Sequence, residues 1–298
     1  MKEKLKGTGV ALITPFTAKG EVDFDQLQKM VDYVIADGKG VEYIVCLGTT
    51  GESVTLTKEE KLEVFQCIRL HNKKRVALVA GIGGNNTAEV LKNISHFNFE
   101  GFDAILSVSP YYNKPSQQGI FEHYKAINEL SPVPVIVYNV PGRTASNITA
   151  ETSLRMASEL KNIAAIKEAS GDLNQCMKLV KHAPQNFAVL SGDDMLTVPM
   201  ISFGMTGVIS VLANAFPVHF SEMIRQSLAG NFNQAQKMLL PLIELDNLMY
   251  AESNPVGVKT LLHLLGVCKP HVRLPLVSGS EKLQKDISAA LKESGIPR

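Results

Sequence analysis

Eight times between residues 10 and 230, a short apolar run gives way to a stretch with helical spacing. The runs cover residues 10–14, 43–47, 76–80, 104–108, 135–138, 163–167, 187–190 and 208–211. Runs this short, apolar throughout and bounded by turn residues, read as strands buried on both faces, as in parallel sheets. Helix starts follow several of them. Asp23 with Gln26, Thr57 with Glu60, Asn86 with Glu89 and Asp172 with Gln175 have capping-box spacing. Behind the first, Leu27, Met30, Val31, Val34 and Ile35 fall on one helical face. Pro217 opens the last helix of the series and Gly230 ends it. Eight strand-then-helix units over this length predict an α/β fold, a (β/α)8 TIM barrel. A doubly wound open sheet fits less well. It uses fewer strands, and no Gly-x-Gly-x-x-Gly turn follows the first run. Residues 231–298 read as helices only, over 232–249, 256–265 and 281–292. The expected organisation is a catalytic barrel over 1–230 and a C-terminal helical extension over 231–298, used in self-association.

The chain has 298 residues, 45% of them hydrophobic, and a net charge of +1. No long run of like charge occurs, which argues against nucleic acid or an anionic membrane as the main partner. The charged start, Met1 to Lys6, lacks the apolar core of a signal peptide. No run of about 18 apolar residues spans a bilayer. Cys46, Cys67, Cys176 and Cys268 show no paired spacing and read as reduced core thiols. A cytoplasmic enzyme is the expectation.

In barrels of this kind the chemistry sits at the C-terminal ends of the strands. Gly48-Thr49-Thr50-Gly51-Glu52 follows the second run. Its amides and hydroxyls suit a small carboxylate, although a turn that merely needs glycine reads the same way. Tyr111-Tyr112 follows the fourth run, and Tyr138 ends the fifth with Arg143 five residues on. Two tyrosines can move protons and an arginine can grip a carboxylate with two parallel hydrogen bonds. Each also has a plain reading, as core packing or surface charge. Lys167 ends the sixth run. Lysine is almost never fully buried without a partner. Lys167 is therefore either paired, with Glu168 for instance, or chemically used. A lysine in water offers a free amine about once in 2,500 molecules at pH 7. Desolvation disfavours the ammonium form in general, and an amine so poised attacks a ketone to form a Schiff base. One lysine, two threonines, two tyrosines and an arginine at one barrel mouth make a coherent Schiff-base site.

A metal fits poorly. The seven histidines form no His-x-His or His-x3-His pair, and the adjacent Asp193 and Asp194 would point apart on extended backbone. Gly81-Ile82-Gly83-Gly84 lacks the lysine that a phosphate loop requires. Neither metal nor cofactor is expected.

Four motifs together resemble the dihydrodipicolinate synthase family, the 4-hydroxy-tetrahydrodipicolinate synthases. They are Gly48-Thr49-Thr50-Gly51-Glu52, Tyr111-Tyr112-Asn113-Lys114-Pro115, Tyr138-Asn139-Val140-Pro141-Gly142-Arg143-Thr144 and Ile166-Lys167-Glu168-Ala169-Ser170-Gly171-Asp172. The likeness extends over essentially the whole chain, through Ser191-Gly192-Asp193-Asp194 and Asn254-Pro255-Val256. The lysine and tyrosine motifs mark pyruvate-dependent class I aldolases at large. The paired threonines and Arg143 favour the synthases over N-acetylneuraminate lyases, which usually carry Ser-Thr and lack that arginine.

The resemblance implies condensation of pyruvate with L-aspartate-4-semialdehyde. Lys167 would form the imine. Thr49 and Thr50 would hold the pyruvate carboxylate. Thr50, Tyr138 and Tyr112 would relay protons, with Tyr112 reaching into a neighbouring subunit's site. Arg143 would bind the semialdehyde carboxylate, and the carbonyl of Ile209 would line the site. The implied assembly is a homotetramer of two tight dimers. Ser53, Asn85, Glu89 and Tyr111 match positions where many members bind inhibitory lysine. Lys58 and Lys61 stand where strongly inhibited bacterial members carry histidines, so weak or absent inhibition is expected. Two other readings compete: another pyruvate aldolase of the superfamily, such as a sialic acid or keto-sugar acid lyase, and a non-catalytic keto-acid sensor.

Overall fold

A computed structural model describes residues 1–296. Eight parallel strands close into a barrel in strict sequence order: β1 (Gly7–Ala11), β2 (Tyr43–Cys46), β3 (Ala77–Gly81), β4 (Ala104–Val108), β5 (Val135–Asn139), β6 (Ile163–Glu168), β7 (Ala188–Ser191) and β8 (Gly207–Ser210). The last pairs with the first, Gly9 opposite Ile209. Around them run α1 (Phe24–Ile35), α2 (Lys58–Asn72), α3 (Thr87–His96), α4 (Gln117–Leu130), the one-turn α5 (Pro141–Thr144), α6 (Ala150–Glu159), α7 (Leu173–His182), the short α8 (Thr197–Ser202) and α9 (Pro217–Leu228). The rest of the described chain forms α10 (Phe232–Leu239), α11 (Ile243–Ala251), α12 (Val256–Leu264) and α13 (Glu281–Glu293).

The alternation of each strand divides the apolar residues into two cores. Tyr43, Val45, Val79, Leu106, Ile136, Ala165, Leu190 and Ile209 point inward and fill the barrel. Val10, Ile44, Ile105, Val137, Ile166 and Val208 point outward under the helices. Tyr43 lies across the barrel floor, and its hydroxyl donates to the Val208 carbonyl at 2.9 Å. Gly9 makes that possible, since a Cβ there would fall 2.1 Å from the Tyr43 ring. The helix starts follow the expected caps. Thr57 and Glu60 form a reciprocal capping box, while Asp23, Asn86 and Asp172 cap from one side only.

Most boundaries shift by a residue, and three differ from the sequence reading by more. β1 begins three residues earlier, because its inward positions are glycine and alanine rather than large apolar residues. The expected helix over 232–249 is interrupted by a 3-10 turn at Leu240–Leu242, where Pro241 cannot donate an amide hydrogen. Residues 12–14, read as strand, instead form the rim above β1, where Ile13 N donates to Asn214 Oδ1 at 3.1 Å.

Candidate active site

Tyr138 and Lys167 are direct cross-strand partners on β5 and β6, as are the residues that follow them, Asn139 and Glu168. Alternation therefore aims Tyr138 and Lys167 into the barrel mouth, and Asn139 and Glu168 outward. Glu168 is fully buried and does not pair with the lysine. Its carboxylate accepts from Asn139 Nδ2 at 2.9 Å, Gln175 Nε2 at 2.9 Å and Ser170 N at 2.7 Å. A buried carboxyl group needs its lone pairs occupied in this way. Here it ties the ends of β5 and β6 together behind the two inward side chains.

Lys167 is 5% exposed, and its Nζ lies 4.3 Å from the centre of the Tyr138 ring. No carboxylate forms a salt bridge with it among the described residues. The chain offers its own control in Lys259, the other buried lysine. Lys259 Nζ lies 2.6 Å from Glu52 Oε1 and donates to the His271 carbonyl at 2.8 Å. The buried lysine with a counter-charge lies outside the cavity, and the one without lines it. Gly192 gives the Lys167 stem its room: a Cβ there would stand 2.9 Å from Lys167 Cε and 2.6 Å from the Ala169 Cβ.

The cavity above Lys167 has a volume of about 300 Å³. Thr49, Thr50, Tyr138, Arg143 and Lys167 line it together. The two threonines sit on a 3-10 turn, Thr49–Gly51, directly after β2. Thr14 Oγ1 donates to the Gly51 carbonyl at 2.7 Å and pins that turn from below. Arg143 lies in α5, which Pro141 starts at the end of β5.

Tyr112 and Ile209 do not line this cavity. Tyr112 is 88% exposed at a positive φ of 73°, and the Ile209 side chain belongs to the barrel interior, with Val211 reaching the cavity instead. Ser53, Glu89 and Tyr111 line a neighbouring groove of about 740 Å³ that shares Thr49, Tyr138 and Arg143 with the cavity. Asn85 is not among its lining residues; its carbonyl accepts from Asn113 Nδ2 at 3.1 Å.

Sequence reasoning missed the opposite wall. Asp193, Asp194, Asp246, Tyr250 and Asn254 complete the cavity, three of them from the C-terminal segment. Asn254 Nδ2 donates to Thr50 Oγ1 at 3.0 Å. The Thr50 hydroxyl accepts that bond, so its own proton is left to donate elsewhere. Glu52, one turn on, receives Lys259 and the Arg273 backbone N–H at 3.0 Å. The C-terminal segment thus holds the threonine loop at two points. The signal was a lysine at 259 in a mostly apolar helix that carries no acidic residue.

The family model described as Dihydrodipicolinate synthetase family matches residues 4–294. The chain belongs to that family. A 4-hydroxy-tetrahydrodipicolinate synthase of Cytophaga hutchinsonii is 53% identical, with 95% of each chain covered. Family structures share the fold closely. The chloride-inhibited dihydrodipicolinate synthase of Acinetobacter baumannii, solved with pyruvate, is 39% identical with a TM-score of 0.94, covering 98% of this chain and 100% of that one. A monomeric dihydrodipicolinate synthase variant is 36% identical with a TM-score of 0.94, covering 99% of this chain and 98% of that one. Among the described residues no helix is long and apolar enough to cross a membrane, and no cluster of His, Cys, Asp or Glu is placed to hold a metal ion.

Proposed function

We propose that this chain condenses pyruvate with L-aspartate-4-semialdehyde through an imine on Lys167. The product is 4-hydroxy-tetrahydrodipicolinate, which enters diaminopimelate and lysine synthesis. The observation that carries the reading is the buried amine of Lys167, without an ion-pair partner among the described residues, beside the Tyr138 ring in the cavity that the threonine turn also lines.

The Lys167 amine attacks C2 of pyruvate, and water leaves to give the imine. Thr49 and Thr50 hold the pyruvate carboxylate. Loss of a methyl proton gives the enamine, whose carbon attacks the aldehyde carbon of the second substrate. Tyr138 carries protons in both stages, relayed by Thr50. The amino group of the joined product then displaces Lys167, closing the ring and freeing the lysine. Arg143 holds the carboxylate of the semialdehyde. Tyr112 acts in the site of a neighbouring copy. Its exposed ring supports this, and so do Val54 and Leu62, which line the groove and are 82% and 51% exposed. The assembly is then a dimer of dimers, and sedimentation velocity is expected to report a tetramer. A monomer with full activity contradicts the role given to Tyr112.

Turnover of pyruvate plus semialdehyde, coupled to the reductase that consumes the product, tests the function. Activity only with a sialic acid or a keto-sugar acid would move the chain to another branch of the superfamily. In the same assay Arg143→Ala is expected to raise KM for semialdehyde about 10- to 100-fold, as loss of a charged hydrogen-bond pair of about 1.5–3 kcal/mol predicts. KM for pyruvate should change little. Equal effects on both substrates would show that Arg143 has been assigned to the wrong one.

Inhibition by lysine should be weak or absent. Glu89, which would meet the inhibitor's ammonium, already faces Lys58 Nζ at 3.5 Å. Lys61 lines the same groove, and burial together with the Lys58 charge lowers its pKa from the ordinary lysine value. A further ammonium would meet two like charges, at roughly 1 kcal/mol each for 4 Å in water. Inhibition by lysine at micromolar concentrations contradicts this.

A further inference from the structure

Asp172 and Gln175 have the spacing of a capping box, yet only half of the box forms. The Gln175 backbone N–H donates to Asp172 Oδ1 at 3.1 Å, but the Gln175 side chain does not return a bond to the start of α7. Both ends of its buried amide are engaged elsewhere. Gln175 Nε2 donates to Glu168 Oε2 at 2.9 Å and to the Ile148 carbonyl at 3.2 Å, and Gln175 Oε1 accepts from Asn147 Nδ2 at 2.9 Å. The carboxyl oxygen takes the amide nitrogen, which leaves the amide oxygen for Asn147.

Asn147 and Ile148 lie between α5 and α6. The preceding α5 is a single turn, Pro141–Thr144, and it carries Arg143. One turn is too short to hold itself, so the place of Arg143 depends on what anchors the chain to either side. On the near side is β5. On the far side Asn139, the last residue of β5, reaches across: its Oδ1 accepts the Ile148 N–H at 2.9 Å and its Nδ2 donates to Asn147 Oδ1 at 2.7 Å. Gln175 completes the closure from α7. Gln117, at the start of α4, holds the same segment through the Asn147 carbonyl at 2.8 Å and the Thr149 N–H at 3.1 Å. None of these anchoring side chains lines the cavity.

We propose that Gln175 is a positioning residue for Arg143: with Asn147 it closes the loop that carries the arginine, and so sets how tightly the second substrate binds. The effect on the substrate rests on the role given to Arg143 above; the closure of the loop does not. Lys167 and Tyr138 are held separately, by the backbone pairing of β6 with β5 and β7. Loosening the loop therefore acts on the semialdehyde rather than on pyruvate.

Two variants test this. Gln175→Met removes both ends of the amide at nearly constant volume. Asn147→Ala removes the loop's side of the contact and leaves every donor to Glu168 in place. Asn147 is exposed, so this variant should fold even if the first does not. Each should raise KM for semialdehyde about tenfold, as loss of one or two neutral hydrogen bonds predicts. KM for pyruvate should stay within about twofold of the parent. Added to Arg143→Ala, either change should move KM for semialdehyde by less than about twofold, because the residue through which it acts is gone. Hydrogen exchange read by mass spectrometry should be faster over residues 141–149 in both variants and unchanged over 163–167. Equal rises for both substrates, or a full tenfold rise on top of Arg143→Ala, would reveal a general structural effect and overturn the proposal. Unchanged exchange over 141–149 in both variants overturns the closure itself. A parent that turns over no semialdehyde overturns the proposed function instead, and the exchange result then decides the closure on its own.

Discussion

Replacing Lys167 with alanine is expected to lower kcat for condensation by about 10⁴-fold or more, the scale seen when a covalent nucleophile is removed. No second amine can substitute. Lys259 is the only other lysine in the buried set, and it is committed to Glu52. The barrel should stay folded, because Lys167 makes no ion pair whose loss would strand a charge. Circular dichroism and the thermal midpoint check this alongside the coupled assay. Pyruvate should still bind weakly through the threonine turn, so the loss should fall mainly on kcat. A decrease of less than about tenfold would mean that the amine is not the nucleophile.

The second large effect is on stability. Lys259→Met should destabilise the protein by about 3–5 kcal/mol, the usual result of removing one member of a buried ion pair. Both side chains are essentially inaccessible, at 0% and 2%, and burial lowers the Lys259 pKa from its ordinary value, with Glu52 opposing. In the variant the Glu52 carboxylate keeps only the Arg273 backbone N–H. Because Glu52 closes the turn that carries Thr49 and Thr50, activity should fall with stability. The double variant Lys259→Met with Glu52→Gln should recover much of the lost stability, since it no longer strands a buried charge. Chemical unfolding of the parent and the two variants measures this. A single-variant cost under about 1 kcal/mol would place the pair with solvent-screened surface bridges.

The barrel was legible because its outward-facing positions carry large apolar residues in every strand, as Ile44, Ile105, Val137 and Val208 do. The inward positions are less telling. Gly7, Gly9 and Ala11 of β1 are small to make room for Tyr43, so the apolar signal pointed three residues too late. Lys167, Tyr138, Thr49, Thr50 and Arg143 were legible as a group because each ends an apolar run or follows one within five residues, and closing the barrel brings all such ends together. The far wall was not. Asn254 and Thr50, and Lys259 and Glu52, meet only after the C-terminal helices fold over the mouth, and no local period encodes that. What the sequence did show was a charge in the wrong place: Lys259 stands in a mostly apolar helix with no acidic residue to pair with. Such residues are seldom buried without a specific partner.

Borohydride reduction in the presence of pyruvate, followed by peptide mass spectrometry, tests the central claim most directly. The account predicts a stable secondary amine joining the three-carbon acid to Lys167, with loss of activity in proportion to labelling. No adduct under conditions where the enzyme turns over, or an adduct confined to a different lysine, would contradict it.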